Sequence, residues 1–298
     1  MDGEASVPAK GNAIRQNRVL RRTPRVGHIR FLNCLPLYRG LANGRSLGSM
    51  ELVQGVPTEL NRDLLKGELD ISPISSIEYA RHFRKLLLLP DLTVSSDGEV
   101  KSILLVSRLP VALLDRKRVA LSDSSATSQI LVRLILEQKY GLRPIYLEAK
   151  PHLPSMLHQA EAALLIGDPA LRALLSRDDL TMCDLGSEWK NWTGHKMVYA
   201  VWASREEFAL REPCLVKNVL EAFRSSAAYV LSNLGDITAD VARREAFDAG
   251  FLAAYFRGLQ FGFDEEYREG LLEFYRRAHS CGFIEQVPPL RFVEVGSA

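Results

Sequence analysis

Short apolar segments that end in small polar residues recur along this chain. The first covers residues 26–32 and stops abruptly at Asn33 and Pro36. Apolar runs of this length, bounded by turn residues, are typical of strands that are buried in a parallel sheet. Helical patterns alternate with many of these runs. The chain therefore predicts an α/β fold with mixed, mostly parallel sheets flanked by helices.

The predicted strands and helices fall into two sets. Two long strand patterns, residues 100–107 and 197–203, bracket a compact middle set, and we interpret them as a paired crossing between two lobes. We predict a first lobe formed by residues 25–104 and 205–298 and a second lobe formed by residues 105–204. Such a layout places a ligand cleft between the lobes.

Three local predictions concern the ends of individual elements. A strand at residues 86–89 is expected to stop at Pro90, and residues 189–194 are expected to form a loop. After Pro213 the pattern is helical throughout. Three helices are predicted there, at residues 214–233, 236–257 and 264–280.

The basic residues are concentrated at the N terminus. Six of the 38 basic and two of the 36 acidic side chains lie in residues 1–25, so the net charge is +4 there and −2 elsewhere. We predict a disordered basic tail at residues 1–24, because apolar residues are sparse there. It lacks the apolar core of a secretory signal. The near-neutral remainder argues against nucleic-acid binding.

Composition narrows the class of protein further. An apolar fraction of 47% is ordinary for a globular protein, and no apolar run approaches the about 20 residues of a membrane helix. The four cysteines form no C-x-x-C pair, which suits free thiols in a reducing cytoplasm. We therefore expect a cytoplasmic protein with no metal, no cofactor and no membrane span. The sequence leaves the oligomeric state open.

The polar residues that follow the predicted strands are the candidate ligand contacts. Ligands of open α/β sheets bind beyond the carboxyl ends of the strands. Hydroxyl groups and helix N-termini hold carboxylates well there, so several such residues can bind a small dicarboxylate without an arginine. The candidates are Asn33, Ser75, Ser76, Ser125, Thr127, Ser128, Asp168, Thr193 and Gly194.

Each candidate also has a purely structural interpretation. Asn33 can be a turn residue beside Pro36, and Ser125 or Thr127 can cap the helix predicted after them. Asp168 can likewise be a turn or cap residue. The chain contains no G-x-G-x-x-G, P-loop or G-x-S-x-G motif. The residues alone therefore leave both an enzyme and a binding protein open.

The stretch Phe31-Leu-Asn-Cys-Leu-Pro-Leu37 resembles the S-Y-L-N-x-x-P-L opening of the chorismate dehydratase family, which serves the futalosine route to menaquinone. The resemblance spans about residues 25–280 and adds Ser102 to the substrate contacts. It implies a two-lobed fold similar to type II periplasmic binding proteins, used inside the cell as an enzyme. Further segments resemble family motifs in the family's order, at residues 65–72, 100–107, 124–128, 163–168 and 192–194.

The resemblance implies dehydration of chorismate to 3-[(1-carboxyvinyl)oxy]benzoate and water. No His or Glu stands at a motif position, so we expect the substrate's own side-chain carboxylate to take the ring proton next to the enolpyruvyl ether. Asn33 is then the catalytic residue, because it orients that group or stabilises developing negative charge. Two alternatives stay open: a cytosolic organic-anion binding protein without turnover, and the sister cyclase of the same pathway.

The chain departs from the family pattern at two places. Cys34 stands where Thr or Ser is more usual, and His195 and Lys196 follow the Thr-Gly pair in place of apolar residues and proline. Both departures are expected near the cleft, where they would change details of the substrate contacts.

Overall fold

The computed structural model describes residues 23–42, 49–175 and 179–294. The predicted basic tail, except for its last two residues, lies outside this range. The strands are β1 (Arg25–Ile29), β2 (Glu51–Gly55), β3 (Ile71–Ser75), β4 (Leu86–Ser96), β5 (Ile103–Ser107), β6 (Arg118–Ser122), β7 (Ile145–Ala149), β8 (Ala162–Ile166), β9 (Thr181–Asp184) and β10 (Met197–Arg205). The helices are α1 (Leu35–Tyr38), α2 (Pro57–Lys66), α3 (Ser76–His82), α4 (Ala126–Leu134), α5 (Leu153–Gln159), α6 (Asp168–Leu175), α7 (Leu185–Thr193), α8 (Glu206–Arg211), α9 (Pro213–Ser232), α10 (Leu234–Arg244), α11 (Ala249–Gly258) and α12 (Glu265–Ser280).

The strands form two five-stranded sheets, in the orders β2-β1-β3-β10-β4 and β7-β6-β8-β5-β9. The predicted α/β class with mixed sheets and flanking helices is confirmed. Parallel and antiparallel pairs are equally frequent in each sheet, rather than mostly parallel. The reason is that β5 and β10 each enter their sheet from the other sheet, and so run against their neighbours.

The second sheet lies within residues 103–184, whereas the first sheet uses strands from both sides of that segment. The lobe boundaries after residues 104 and 204 stay a prediction. The strands predicted at 100–107 and 197–203 do not pair with each other. β5 pairs with β8 and β9, and β10 pairs with β3 and β4.

The chain crosses between the sheets twice, and the crossing is tightly packed. Asp184, at the N-terminus of α7, accepts hydrogen bonds from the backbone N–H groups of Val100 and Lys101, the latter at 2.6 Å. Gly186 lies against the Gly98 carbonyl, where a Cβ atom would come within 2.2 Å of the oxygen. The two connections are therefore held side by side.

β4 continues to Ser96 instead of stopping at Pro90. β4 is an edge strand, and its pairing with β10 shifts register between Val201 and Ala203, opposite this region. A missing N–H is tolerated at an edge or a bulge, and Asp91 adopts a positive φ of 57° there. The prediction of a strand end at Pro90 is therefore wrong.

Two helical predictions also change. Residues 189–194 belong mostly to α7 rather than to a loop, because Asp184 caps the helix and Gly194 ends it at a φ of 74°. The helix predicted at residues 236–257 is divided into α10 and α11. The division occurs because the Asp248 side chain accepts the Phe251 N–H and starts a new helix.

A buried carboxylate ties together three strands of the first sheet. The Asp70 side chain, just before β3, is fully buried. It accepts hydrogen bonds from the backbone N–H of Arg25 at 2.9 Å and from Nη2 of Arg205 at 3.0 Å. Arg25 begins β1 and Arg205 ends β10. These contacts therefore fix the edge of the sheet opposite the carboxyl end of β1.

We expect Asp70→Asn to lower the free energy of unfolding by about 2–3 kcal/mol, because it leaves two arginines without their buried counter-charge. Urea denaturation at neutral pH measures this loss. Glu221→Gln is the matched control, since Glu221 pairs with Lys217 at 4.0 Å on an exposed helix face. We expect that control to change stability by less than about 0.5 kcal/mol. Equal losses in the two variants would contradict the assignment.

His28 of β1 stacks on the Tyr38 ring, with the ring centroids 3.9 Å apart. Burial, and then the charge of Arg30, lower the pKa of His28 to about 4. The folded state therefore prefers the neutral ring. Its stabilising contribution is complete above the unfolded pKa of about 6.5 and is lost as the pH falls towards 4.

We expect the protein to lose about 1 kcal/mol of unfolding free energy through His28 between pH 7 and pH 5, after allowance for the partial exposure of the ring. His28→Phe keeps the stacking and removes the titration, so this loss is expected to shrink. Urea midpoints at the two pH values measure it. The control is His158→Gln, because His158 is exposed on α5. An unchanged pH dependence in His28→Phe would refute the prediction.

Candidate active site

A small cavity lies between the two sheets, at the carboxyl ends of β1, β3 and β8. The volume open to the centres of water-sized spheres is about 40 Å³. This is room for about three water molecules. Its polar wall consists of Asn33, Ser75, Ser102, Ser125, Ser128 and Tyr199. The structure thus brings five of the ten predicted site residues to one cavity.

Asn33 lies in the 3₁₀ turn Leu32–Cys34, which follows β1. Its side-chain oxygen Oδ1 is buried and has no hydrogen-bond partner among the described residues. A buried acceptor without a partner costs about 1–3 kcal/mol. The amide is therefore arranged to meet a group that enters the cavity from outside.

Ser75 ends β3 and is oriented by a second asparagine. Its N–H donates to Oδ1 of Asn61 at 3.0 Å, and its Oγ accepts from Nδ2 of Asn61 at 3.2 Å. Because Oγ is already an acceptor here, its hydroxyl proton stays available to a ligand.

Ser125 and Ser128 begin α4 on the opposite wall. Ser125 is the N-cap, and its Oγ accepts the Ser128 N–H at 3.3 Å while donating to the Ser128 Oγ at 3.0 Å. The first N–H groups of a helix have no acceptor within the helix. This wall therefore combines hydroxyl groups with the positive end of a helix dipole.

Ser76 and Thr127 lie deeper, where α3 packs against α4, and are not part of the cavity wall. The Ser76 hydroxyl donates to the carbonyl oxygen of Val198 at 2.9 Å. The Thr127 hydroxyl oxygen accepts the Ile77 N–H at 3.2 Å. The Thr127 hydroxyl thus joins α4 to α3 across the two halves, whereas the Ser76 hydroxyl joins α3 to β10 of the first sheet.

Asp168 lies beside the cavity rather than in its wall. Its Oδ1 accepts the Leu32 N–H at 2.9 Å. Burial raises the pKa of the Asp168 carboxyl, and the Leu32 N–H and the charge of Arg172 partly offset that rise. Ser102 does line the cavity, and its carbonyl oxygen accepts the Gly167 N–H at 2.7 Å.

Thr193 and Gly194 end α7, away from this cavity. The Thr193 hydroxyl donates to the Trp189 carbonyl at 2.9 Å and accepts the His195 N–H at 3.1 Å. Gly194 has a positive φ of 74° as the C-cap. Their role as substrate contacts stays a prediction that this geometry does not support directly.

The residues that depart from the family pattern also lie outside the cavity wall. Cys34 is buried, and burial followed by the charge of Asp168 raises the pKa of its thiol. Lys196 pairs with Glu266 at 2.5 Å in a separate surface groove that also includes His195.

Several wall residues were not predicted from the sequence, notably Phe31, Gly167 and Tyr199. Phe31 stands inside the opening motif, so its position was a usable signal. Tyr199 donates or accepts a hydrogen bond with the Ser96 hydroxyl at 2.8 Å. Burial raises its pKa well above the usual range. On a strand of apolar residues, nothing in the sequence separates this tyrosine from an ordinary core residue.

The described part of the cavity wall contains no Lys, Arg, His, Asp or Glu. Its titratable side chain is Tyr199, whose raised pKa keeps it neutral. The wall offers an amide, four serine hydroxyls and the N-termini of α2 and α4, which begin beside Pro57 and Ser125. Such neutral donors suit a small carboxylate ligand.

The described residues contain neither a metal-binding cluster nor a membrane-spanning helix. No group of three or more His, Cys, Asp or Glu side chains there is arranged to hold a metal ion. Among the described helices, none is long and apolar enough to cross a membrane.

Comparison with solved structures identifies the fold. The crystal structure of a protein from Archaeoglobus fulgidus matches with a TM-score of 0.74 at 19% identity, over 88% of this chain and 98% of that one. The periplasmic aliphatic sulphonate binding protein of Escherichia coli matches with a TM-score of 0.64 at 17% identity, over 92% and 94%. The expected periplasmic-binding-protein-like fold is confirmed.

Comparison with other sequences identifies the family. The chorismate dehydratase of Thermus thermophilus is 32% identical over 264 residues, which are 84% of this chain and 93% of that protein. The chorismate dehydratase of Campylobacter jejuni is 28% identical over 216 residues, or 70% and 78%. The sequence model of a family described as menaquinone biosynthesis matches residues 24–280. Because that match covers most of this chain, the chain belongs to the menaquinone biosynthesis family.

Proposed function

We propose that the chain is an enzyme, a carbon–oxygen hydro-lyase that converts chorismate to 3-[(1-carboxyvinyl)oxy]benzoate and water. The observation that carries the proposal is the unpartnered Oδ1 of Asn33 in the cavity between the sheets. Membership of the menaquinone biosynthesis family and the two chorismate dehydratase relatives support it. The cavity wall also suits a substrate with two carboxylates.

The chemistry needs positioning more than strong acids or bases. The ring loses its hydroxyl group and the proton on the carbon that bears the enolpyruvyl ether, and the product ring becomes aromatic. No described residue of the wall is a carboxylate or an imidazole. The substrate's own side-chain carboxylate therefore serves as the base, and the proton and the hydroxyl group leave as water.

Asn33 acts on this step in two ways. Its amide N–H groups can hold the substrate carboxylate that takes the proton, and its Oδ1 can accept a hydrogen bond from the ring hydroxyl. The serines and the start of α4 then hold the other carboxylate. The described cavity has room for about three water molecules, so the cleft must open to admit chorismate and then close around it. Closure around the substrate excludes bulk water, which strengthens these interactions.

We place the enzyme in the cytoplasm. All four cysteines are free thiols, and two of them, Cys34 and Cys183, are buried. Unpaired thiols suit a reducing compartment. Detection of the protein in fractionated cells tests this placement.

We expect Asn33→Ala and Asn33→Asp to lower kcat about 100- to 1,000-fold, as loss of an oriented donor in a catalytic site typically does. Substrate affinity is expected to change less than about threefold in Asn33→Ala, because the other wall contacts remain. It is expected to fall further in Asn33→Asp, because the new carboxylate repels the substrate carboxylates. Absorbance of the aromatic product measures turnover, and calorimetry measures affinity. The control is Asn233→Ala, which removes an exposed amide at the end of α9. Near-normal turnover in either Asn33 variant would exclude this role.

The parent protein decides between the function classes in the same assay. Binding of chorismate without an aromatic product would favour an organic-anion binding protein. Absence of both, with turnover of the sister cyclase's substrate, would favour that cyclase.

We expect Ser128→Ala to raise KM for chorismate about tenfold, because it removes a hydroxyl that faces the charged substrate. Thr193→Ala is expected to leave KM unchanged, since its hydroxyl is used within α7. Steady-state kinetics at neutral pH compares the two. A tenfold rise in Thr193→Ala would instead establish Thr193 as a substrate contact.

A further inference from the structure

Asp168 connects the two sheets next to the turn Leu32–Cys34, which contains Asn33. It is the first residue of α6, and Gly167 separates it from β8 of the second sheet. Its Oδ1 accepts the N–H of Leu32, 136 residues earlier in the chain, at 2.9 Å. Leu32 follows β1 of the first sheet and begins the 3₁₀ turn that contains Asn33. A side chain from one half of the molecule therefore holds the backbone of the other half.

The packing around this hydrogen bond is close on both sides. The Phe31 ring lies on Gly167, where a Cβ atom would come within 2.7 Å of the ring. Gly167 has a positive φ of 61°, so a side chain is excluded there both by space and by backbone conformation. The Gly167 N–H donates to the Ser102 carbonyl, which anchors the β8–α6 turn to its own sheet. The acceptor on Asp168 is thus held in place.

The Asn33 side chain needs such a support because no hydrogen bond to its own oxygen fixes its orientation. Oδ1 of Asn33 has no partner in the described structure. The direction of this carbonyl then depends on the backbone of the three-residue turn. Leu32 is the residue before Asn33, and its N–H is fixed by Asp168. Catalytic groups require this kind of support from neighbouring residues to hold their geometry.

Direct contact between Asp168 and the substrate is disfavoured. Asp168 is not part of the cavity wall, and Oδ1 is already bonded to Leu32. A carboxylate beside a dicarboxylate substrate would also repel it. On the basis of the function proposed above, we propose that Asp168 is a positioning residue, which orients Asn33 through the Leu32 backbone and does so only when the two sheets are closed on the cavity.

The first test compares Asp168→Ala with Asp168→Asn. We expect Asp168→Ala to lower kcat about 10- to 100-fold with KM changed less than about threefold, because one charge-assisted hydrogen bond to the turn is lost. Asp168→Asn keeps an oxygen acceptor for the Leu32 N–H and is expected to retain kcat within about fivefold. Asp264→Ala is the matched control, since Asp264 caps α12 away from the cavity.

A double variant separates positioning from direct catalysis. If Asp168 acts through Asn33, the Asn33→Ala/Asp168→Ala protein is no slower than Asn33→Ala alone. Additive losses would show that Asp168 acts independently and would overturn the proposal. So would an Asp168→Asn protein as slow as Asp168→Ala, because the charge rather than the acceptor would then be required.

Hydrogen exchange of the backbone tests the contact without any turnover. Mass spectrometry of a peptide covering residues 31–35 is expected to show faster exchange in Asp168→Ala, and parent-like exchange in Asp168→Asn and Asp264→Ala. Unchanged exchange in Asp168→Ala would overturn the proposal even if Asn33 is essential. If the parent protein does not convert chorismate, the proposed function fails, and the exchange result still decides whether Asp168 holds the turn.

Discussion

The position of β10 is the constraint on which the rest of the structure depends. It lies between β3 and β4 and pairs antiparallel with both, although the chain reaches it only after completing the second sheet. The chain must therefore leave the first sheet from its edge strand, β4, and return beside it as the next strand inward. This brings the carboxyl ends of β1 and β3 opposite that of β8. The cavity between the sheets is a consequence of this connection rather than of any one side chain.

Two contacts between the halves pair a backbone donor of the first half with a side-chain acceptor of the second. Thr127 accepts the N–H of Ile77, and Asp168 accepts the N–H of Leu32. Each donor begins a helical turn, where N–H groups lack partners within the turn itself. Association of the halves thus satisfies groups that would otherwise be left unpaired. The same turns carry or adjoin the proposed site, so its geometry depends on contacts between the halves.

The sequence was informative where polar residues follow apolar strands, and less so where packing decides. Asn33, Ser75 and Ser125 were identified because a strand or a helix start fixes their position. The structural use of Thr193 was not, since its partners Trp189 and His195 lie at the end of α7, a segment that lacks a clear helical pattern. From the sequence, Pro90 predicts a strand end. Proline is tolerated within an edge strand, but the sequence does not show which strand lies at the edge of the sheet. The place of Tyr199 in the cavity wall depends on how the second sheet packs against the first, and no local sequence pattern shows that packing.

The absence of charged side chains from the described cavity wall has a consequence for how a ligand arrives. Helix N-termini and hydroxyl groups act over a few ångströms, whereas a cluster of arginines attracts an anion over about a Debye length. The wall itself therefore exerts little attraction on a dianion from a distance. The contribution of the wall to the rate of association depends only weakly on ionic strength. The wall therefore discriminates between anions only once they are in contact with its donors.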